Sequence, residues 1–408
     1  PDVPARIYAK YPFGYPVLAA AGRLIMGVPG MYAVNPLCAI LAVFMSYFLF
    51  RTLVGRFTAL MGTLILACNP LTLTYANDAN SHASALLCVI VGMWGLLSWY
   101  QGGGRWRAII GGLFLGYAGT IRYTDVLLGL PVLFAAVTRF RFNFKETLGS
   151  LGTVLAWAIP IGLLALVCYV SFGGPFTTGY TFCHEDTGFG WQYFVGAAGQ
   201  PHARVLEGNW DTMILQFNRI GLFVLWPLAL AGLLGLLLTH WRRGMMLALW
   251  VVPLITVYLF YYWAPQRDTS LGYMRFFIRA IPGLILAALW LLESFGKHLK
   301  GGALPAGLAV GGVAAFGLVC AALYLYPRDL TIGLPVFGQI GSSLAQLWHM
   351  LGGKVAILAT AAIVLGIWFF DSAHLGLVTG RTLAIGSVAA LACGYNLYTV
   401  APMLEREH

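Results

Sequence analysis

The amino-acid sequence predicts an all-α protein that crosses a membrane many times. Two observations carry that reading. Of 408 residues, 60% are hydrophobic and only 9% are charged, far from the composition of a soluble domain. Apolar runs of roughly 15–25 residues recur from end to end, long enough to cross ~30 Å of hydrocarbon. A third observation, the sidedness of the charges between those runs, orients the bundle. No segment is long and polar enough for a separate soluble domain. The chain therefore divides into a juxtamembrane segment 1–33, a transmembrane core 34–300 with an outer loop 173–215, and C-terminal helices 301–408.

Taken in order, the first informative stretch is Ala9–Leu18, AKYPFGYPVL. Pro12 and Pro16 cannot donate backbone hydrogen bonds, and Gly14 relaxes the chain between them. The stretch predicts a short amphipathic element at the membrane surface, with Tyr11 and Tyr15 at headgroup depth and Lys10 along the interface. A lysine snorkelling in an aromatic belt has the same pattern. Arg23, Gly27, Pro29 and Gly30 interrupt segment 13–30, which reads as a juxtamembrane helix rather than a span. Spans are expected near 34–50, 57–76, 83–100, 106–121, 124–138, 148–172, 216–239, 245–264, 276–295, 303–326, 353–370 and 381–400, twelve in all.

One set of alternating loops holds Arg51, Arg56, Arg105, Arg107, Arg139, Arg141, Lys145, Arg242, Arg243, Lys297, Lys300 and Arg381, against only Glu146, Glu293 and Asp371. The other side holds twelve bases and eleven acids. The positive-inside rule makes the first set cytoplasmic and suits a bacterial inner (plasma) membrane. Both ends of the chain then face the periplasm or exterior, so a preceding span, a thirteenth, is expected upstream of Pro1. The formal charge of +10 is scattered over span ends, which argues for orientation and lipid contact rather than for nucleic acid. The seven cysteines show no zinc spacing.

The chemistry-bearing groups gather on the non-cytoplasmic side. Arg122 and Asp125 lie in a turn between spans of about 15–17 residues, which rise only ~22–25 Å, so the turn should sit below the membrane surface. Such groups are either paired with each other or face a wet cavity that takes an anion. Arg275 and Arg279, in GYMRFFIRAIP with Tyr273, are spaced i, i+4 as on one helical face. They read as a lipid-phosphate site or as two interfacial anchors. Asp78 and His82, in YANDANSH beside Tyr75, share that spacing and suit a cation, a sugar or acid–base work, although Ser81 capping a helix explains the same loop. His184, Glu185 and Asp186 sit between aromatics in GYTFCHEDTGFGW, either a sugar platform or a flap on the membrane.

Together these stretches resemble the GT-C superfamily of integral-membrane glycosyltransferases, with the protein O-mannosyltransferase-like and lipid A aminoarabinose transferase-like branches nearest. The markers are KYPFGYPVL, YANDANSH, GTIRYTDVLLGLP, the FGGPFTTGY…GFG run and YMRFFIRAIP, spread over roughly residues 8–295. The resemblance implies a juxtamembrane helix after the first outer loop. It implies that Lys10 contacts the phosphate of a lipid carrier, with Arg122 in the same pocket and Arg275 on the phosphate side. Asp78, or His82, falls where relatives carry a second functional acid. The family's catalytic acid lies in the first outer loop, ahead of the KYP-like stretch, and is expected upstream of Pro1.

The function this implies is transfer of a sugar from a polyprenyl-phosphate donor to an acceptor at the outer membrane face. Lys10, Arg122, Arg275 and Arg279 would hold the donor phosphate. Tyr11, Tyr15, Tyr75, Asp125, His184, Glu185, Asp186 and Tyr273 would line the donor and acceptor cavity. Besides membrane lipid and the donor, the partner is an acceptor protein, lipid or glycan. No cofactor or metal site is assigned, and a divalent metal has no ligand cluster to support it. A transporter or flippase, or an inactive lipid-phosphate-binding subunit, is the competing reading. The nearly charge-free span centres argue against transport.

Overall fold

The computed structural model describes residues 9–78, 80–140, 144–182, 188–195, 209–210, 213, 225–261 and 273–298. The expected spans at 303–326, 353–370 and 381–400, together with His184, Glu185 and Asp186, lie outside these residues. Among the described residues the chain is helical, and its one β-type contact is an isolated antiparallel bridge between Phe189 and Tyr261.

The helices follow the apolar runs, with breaks where the backbone chemistry demands them. α1 (Gly14–Met26) ends at Gly27, whose φ of 68° is a left-handed conformation that glycine adopts without strain. α2 (Val28–Phe50) then starts with Pro29 in its first turn, where a missing N–H is harmless. The juxtamembrane helix therefore stops at Met26, and the span expected at 34–50 begins six residues earlier. Gly22 and Gly30 let the two helices cross backbone to backbone, since a Cβ on either would collide with the other's carbonyl.

The run expected as one span at 57–76 is two helices. α3 (Arg56–Ala67) and α4 (Pro70–Asn77) meet at a 57° bend. Asn69 caps α4 by accepting from the Leu71 N–H at 3.0 Å, and Pro70 takes the first helical position. α5 (His82–Tyr100) follows and is buried along almost its whole length, the centre of the bundle. α6 (Arg105–Ile121) crosses α8 (Phe144–Phe172) closely, because side chains at Gly112 and Gly116 would strike the Thr153 and Trp157 carbonyls. α8 turns Leu151, Leu155, Ile159, Leu163 and Val170 outward, an apolar stripe for lipid.

Between α6 and α8 the expected span 124–138 is a 3-10 turn, Tyr123–Leu128, followed by the 11-residue α7 (Gly129–Arg139). The outer loop contributes a second 3-10 turn, Gly179–Phe182, and the short α9 (Trp191–Val195). α10 (Leu225–Thr239), α11 (Trp241–Leu259) and α12 (Ile281–His298) complete the described bundle. Among the described residues four helices (α2, α5, α8 and α11) are individually long and apolar enough to cross a membrane, and the bent α3–α4 pair makes a fifth crossing if it counts as one.

The ends of the bundle differ in character. One is basic and tied by local bonds. Glu293 of α12 accepts from the Gly55 N–H at 2.7 Å, Arg139 pairs with Glu146 at 3.5 Å, and Arg139 stacks on Trp99. The opposite end gathers the segments that follow.

Candidate functional site

Arg122 leaves α6 in an extended conformation (φ −142°, ψ 124°) while its N–H still bonds the Ala118 carbonyl at 2.9 Å. That one residue turns the side chain off the helix and toward α5. Its Nη1 lies 3.0 and 3.2 Å from Nδ1 and Nε2 of His82, and 3.4 Å from Ser81 Oγ. A guanidinium only donates, so the imidazole nitrogen facing it is the acceptor. His82 is buried, with its ring centroid 4.6 Å from that of Tyr75. The Arg122 guanidinium lies 5.5 Å from the Phe276 ring centroid, and the Arg275 guanidinium lies 5.1 Å from the same ring. Two cations thus lie against the same ring, whose electron-rich π-system attracts them.

Lys10 reaches the same end by another route. A Cβ on Gly179 would fall 2.5 Å from the Ala9 carbonyl oxygen and 2.7 Å from Lys10 Cα, so the Gly179–Phe182 turn rests directly on the Lys10 backbone. The Lys10 ammonium sits 5.1 Å from the Tyr180 ring and 5.5 Å from the Tyr11 ring. Tyr180 meets Tyr11 and Tyr123 edge-on at 5.8 and 6.1 Å. Burial, and then the neighbouring Tyr11, push the Tyr180 hydroxyl above its ordinary range, against the opposing charge of Arg122. It stays protonated near neutrality and can donate.

Asp125 and Arg279 depart from expectation. Asp125 pairs with Arg279, not Arg122, and both side chains are fully buried. Arg279 also donates to the Tyr258 hydroxyl at 3.1 Å and to the Phe276 carbonyl at 3.0 Å, and it lies 3.4 Å from Thr124 Oγ1. Arg275 and Arg279 do not share a helical face. The chain runs through a 3-10 turn (Met274–Phe276) and a further turn before α12 starts at Ile281, which sends Arg279 inward. Tyr273 is buried too, and its hydroxyl donates to the Tyr258 carbonyl at 3.0 Å.

Asp78 and His82 also separate. Asp78 ends α4 in an extended conformation and is exposed, accepting from the Asn80 side chain, while His82 opens α5 facing inward. The helix break between them cancels the i, i+4 geometry. Among the described residues no group of three His, Cys, Asp or Glu is placed to hold a metal.

Sequence reasoning missed Asn35, Tyr180, Tyr258 and Phe276. Asn35 is buried in apolar α2 and donates to the Asp78 and Asn80 carbonyls, and its Nδ2 lies 3.4 Å from the Tyr15 hydroxyl. A single amide within a long apolar run was the available signal, because such a group must find partners. The aromatics carried none, since aromatic residues are dense throughout the chain.

Residues 10–165 match the family model of dolichyl-phosphate-mannose-protein mannosyltransferases. No curated protein matches the chain by sequence. Among solved structures the chain is similar to ArnT from Cupriavidus metallidurans in the apo state, at 19% identity and a TM-score of 0.51, covering 97% of this chain and 66% of that one. It is also similar to ArnT from the same organism bound to undecaprenyl phosphate, at 16% identity and a TM-score of 0.52, covering 97% and 68%. The chain thus spans about two thirds of the length of these proteins. The likeness over 97% of this chain is one of fold, and the family model matches its first part, residues 10–165.

Proposed function

We propose that the chain is a membrane glycosyltransferase that takes its sugar from a polyprenyl-phosphate donor, working at the end of the bundle where Lys10, Arg122 and Arg275 converge. The carrying observation is that convergence. Three cations from three separate segments lie against two rings at this end, Lys10 on Tyr180 and Arg122 and Arg275 on Phe276, while the nearby carboxylate Asp125 is taken up by Arg279. Among the described residues, Arg122 meets an imidazole, a hydroxyl and a ring face in place of a carboxylate. Such a group suits a phosphate, and it suits best the charge that grows on the phosphate when the sugar–oxygen bond breaks. A similar solved structure holding undecaprenyl phosphate supports the lipid class of the donor.

In this reading the phosphate lies between Lys10 and Arg122, with Arg275 behind Phe276 and Tyr180 donating a hydrogen bond. Asp78, exposed at the same end, is the described carboxylate able to take a proton from an acceptor hydroxyl. The charge pattern supports an orientation with this end outside the cytoplasm.

The test is transfer of radiolabelled sugar from a polyprenyl-phosphate donor by purified protein. Lys10→Ala and Arg122→Ala should each lower transfer by about 10²–10³-fold, the usual loss when a charge-stabilising donor is removed. Thermal unfolding in detergent should stay unchanged. Full transfer by both variants would overturn the phosphate assignment.

A further inference from the structure

The basic end of the bundle holds a cleft of about 270 Å³, far from Lys10 and Arg122 along the helices, lined by Tyr100, Thr138, Arg139, Glu146 and Arg242. Four helices meet there: the C-terminal ends of α5 and α7 and the N-terminal ends of α8 and α11. Its charges are not equivalent. Arg139 is held by Glu146 at 3.5 Å, by the Trp99 carbonyl and by the Trp99 ring at 5.0 Å, so its charge is matched and its position set. Arg242 is exposed on the cleft's rim and lies 5.5 Å from the Trp241 ring. The Tyr100 hydroxyl is buried and, among the described residues, lacks a hydrogen-bond partner. The cleft therefore offers one cation balanced in place, one cation in excess, and one unused hydroxyl.

We propose that this cleft binds the phosphate of an anionic lipid headgroup in the leaflet at the basic end, a site separate from the donor-phosphate group. Arg242 supplies the charge, the Tyr100 hydroxyl donates to a second phosphate or glycerol oxygen, and Arg139 closes the inner wall. Basic pockets between transmembrane helices take such headgroups because attraction to the phosphate adds to the fit of the groove. The volume admits a headgroup and not a whole lipid, so the acyl chains lie outside against the bundle. Trp241, half exposed beside Arg242, sits where an indole anchors at the interface. A soluble phosphate ester has the same recognising chemistry but lacks the chains.

Native mass spectrometry of the purified protein in a neutral detergent tests this, with dioleoyl phosphatidylglycerol, dioleoyl phosphatidylcholine and inorganic phosphate as probes. A Lys10→Ala background weakens phosphate binding at the opposite end. In that background phosphatidylglycerol should bind in preference to phosphatidylcholine. Arg242→Gln should weaken it about five-fold, and Tyr100→Phe should weaken it to a smaller extent. Arg242 is exposed, so unfolding of Arg242→Gln without added lipid should match that of the parent. Equal binding of the two lipids, or unchanged binding by Arg242→Gln, would overturn the site. Displacement of the lipid by inorganic phosphate at matching concentrations would overturn the lipid assignment.

Discussion

Arg279 and Arg122 lie on either side of the same aromatic cluster, and their surroundings assign them different work. Arg279 is enclosed by Asp125, Tyr258, Thr124 and the Phe276 carbonyl, and its side chain is fully buried. A buried ion pair stabilises little relative to an apolar pair, yet removing one partner strands the other charge at a cost of about 3–5 kcal/mol. Arg279→Ala should therefore lower the unfolding midpoint sharply, and adding Asp125→Ala should restore much of the loss. Arg275→Ala should weaken polyprenyl-phosphate binding while lowering the midpoint less than Arg279→Ala does. Thermal unfolding and lipid-binding titrations on the same preparations separate the two residues. The sequence placed these arginines in one locality through their outer-end position. It could not show that one turns inward, because that depends on a 3-10 turn replacing the first turn of a helix.

At the scale of elements, the breaks between helices decide the site's geometry. The Asn69–Pro70 pair ends α3 and restarts the chain as α4, and this carries the Asp78–His82 loop to the bundle end. Asn35 then ties that loop to α2 through the carbonyls of Asp78 and Asn80. Asn35→Leu should cost about 1–3 kcal/mol, the loss of two hydrogen bonds at roughly 0.5–1.5 kcal/mol each, and should speed proteolytic cutting between residues 78 and 81. The α6–α8 crossing makes a contrasting prediction. Gly116→Leu should destabilise by roughly 1–3 kcal/mol or more through overpacking, measured as a lower unfolding midpoint, because the Trp157 carbonyl occupies the space. Apolar runs were legible in the sequence, and so was the Gly27 break. The bend at Asn69 was not read, since apolar residues continue across it and hydrophobicity alone joins the two helices.

At the scale of the molecule, the described helices form a bundle with a basic end and an aromatic, arginine-containing end, and its orientation in the membrane is testable directly. Gln101→Cys marks the basic end and Phe176→Cys the outer loop, and both positions are exposed. In intact spheroplasts a membrane-impermeant maleimide should label Phe176→Cys above the level of the parent chain. Gln101→Cys should react only after permeabilisation. The reverse pattern would move the proposed transfer reaction to the cytoplasmic face.

Composition and run length were enough to determine an all-helical membrane bundle, because hydrocarbon forces every backbone group to be satisfied within its own helix. Charge counts between the runs were enough to collect Lys10, Asp78, Arg122, Asp125, Arg275 and Arg279 on one side. Which of them touch was decided only in three dimensions. Asp125 lies three residues from Arg122 but pairs with Arg279, and Lys10 meets Tyr180 from a distant loop. Periodicity describes one helix at a time. The partners of a buried charge are chosen by how helices cross and where their ends unwind, and those choices rest on contacts between segments far apart in the chain.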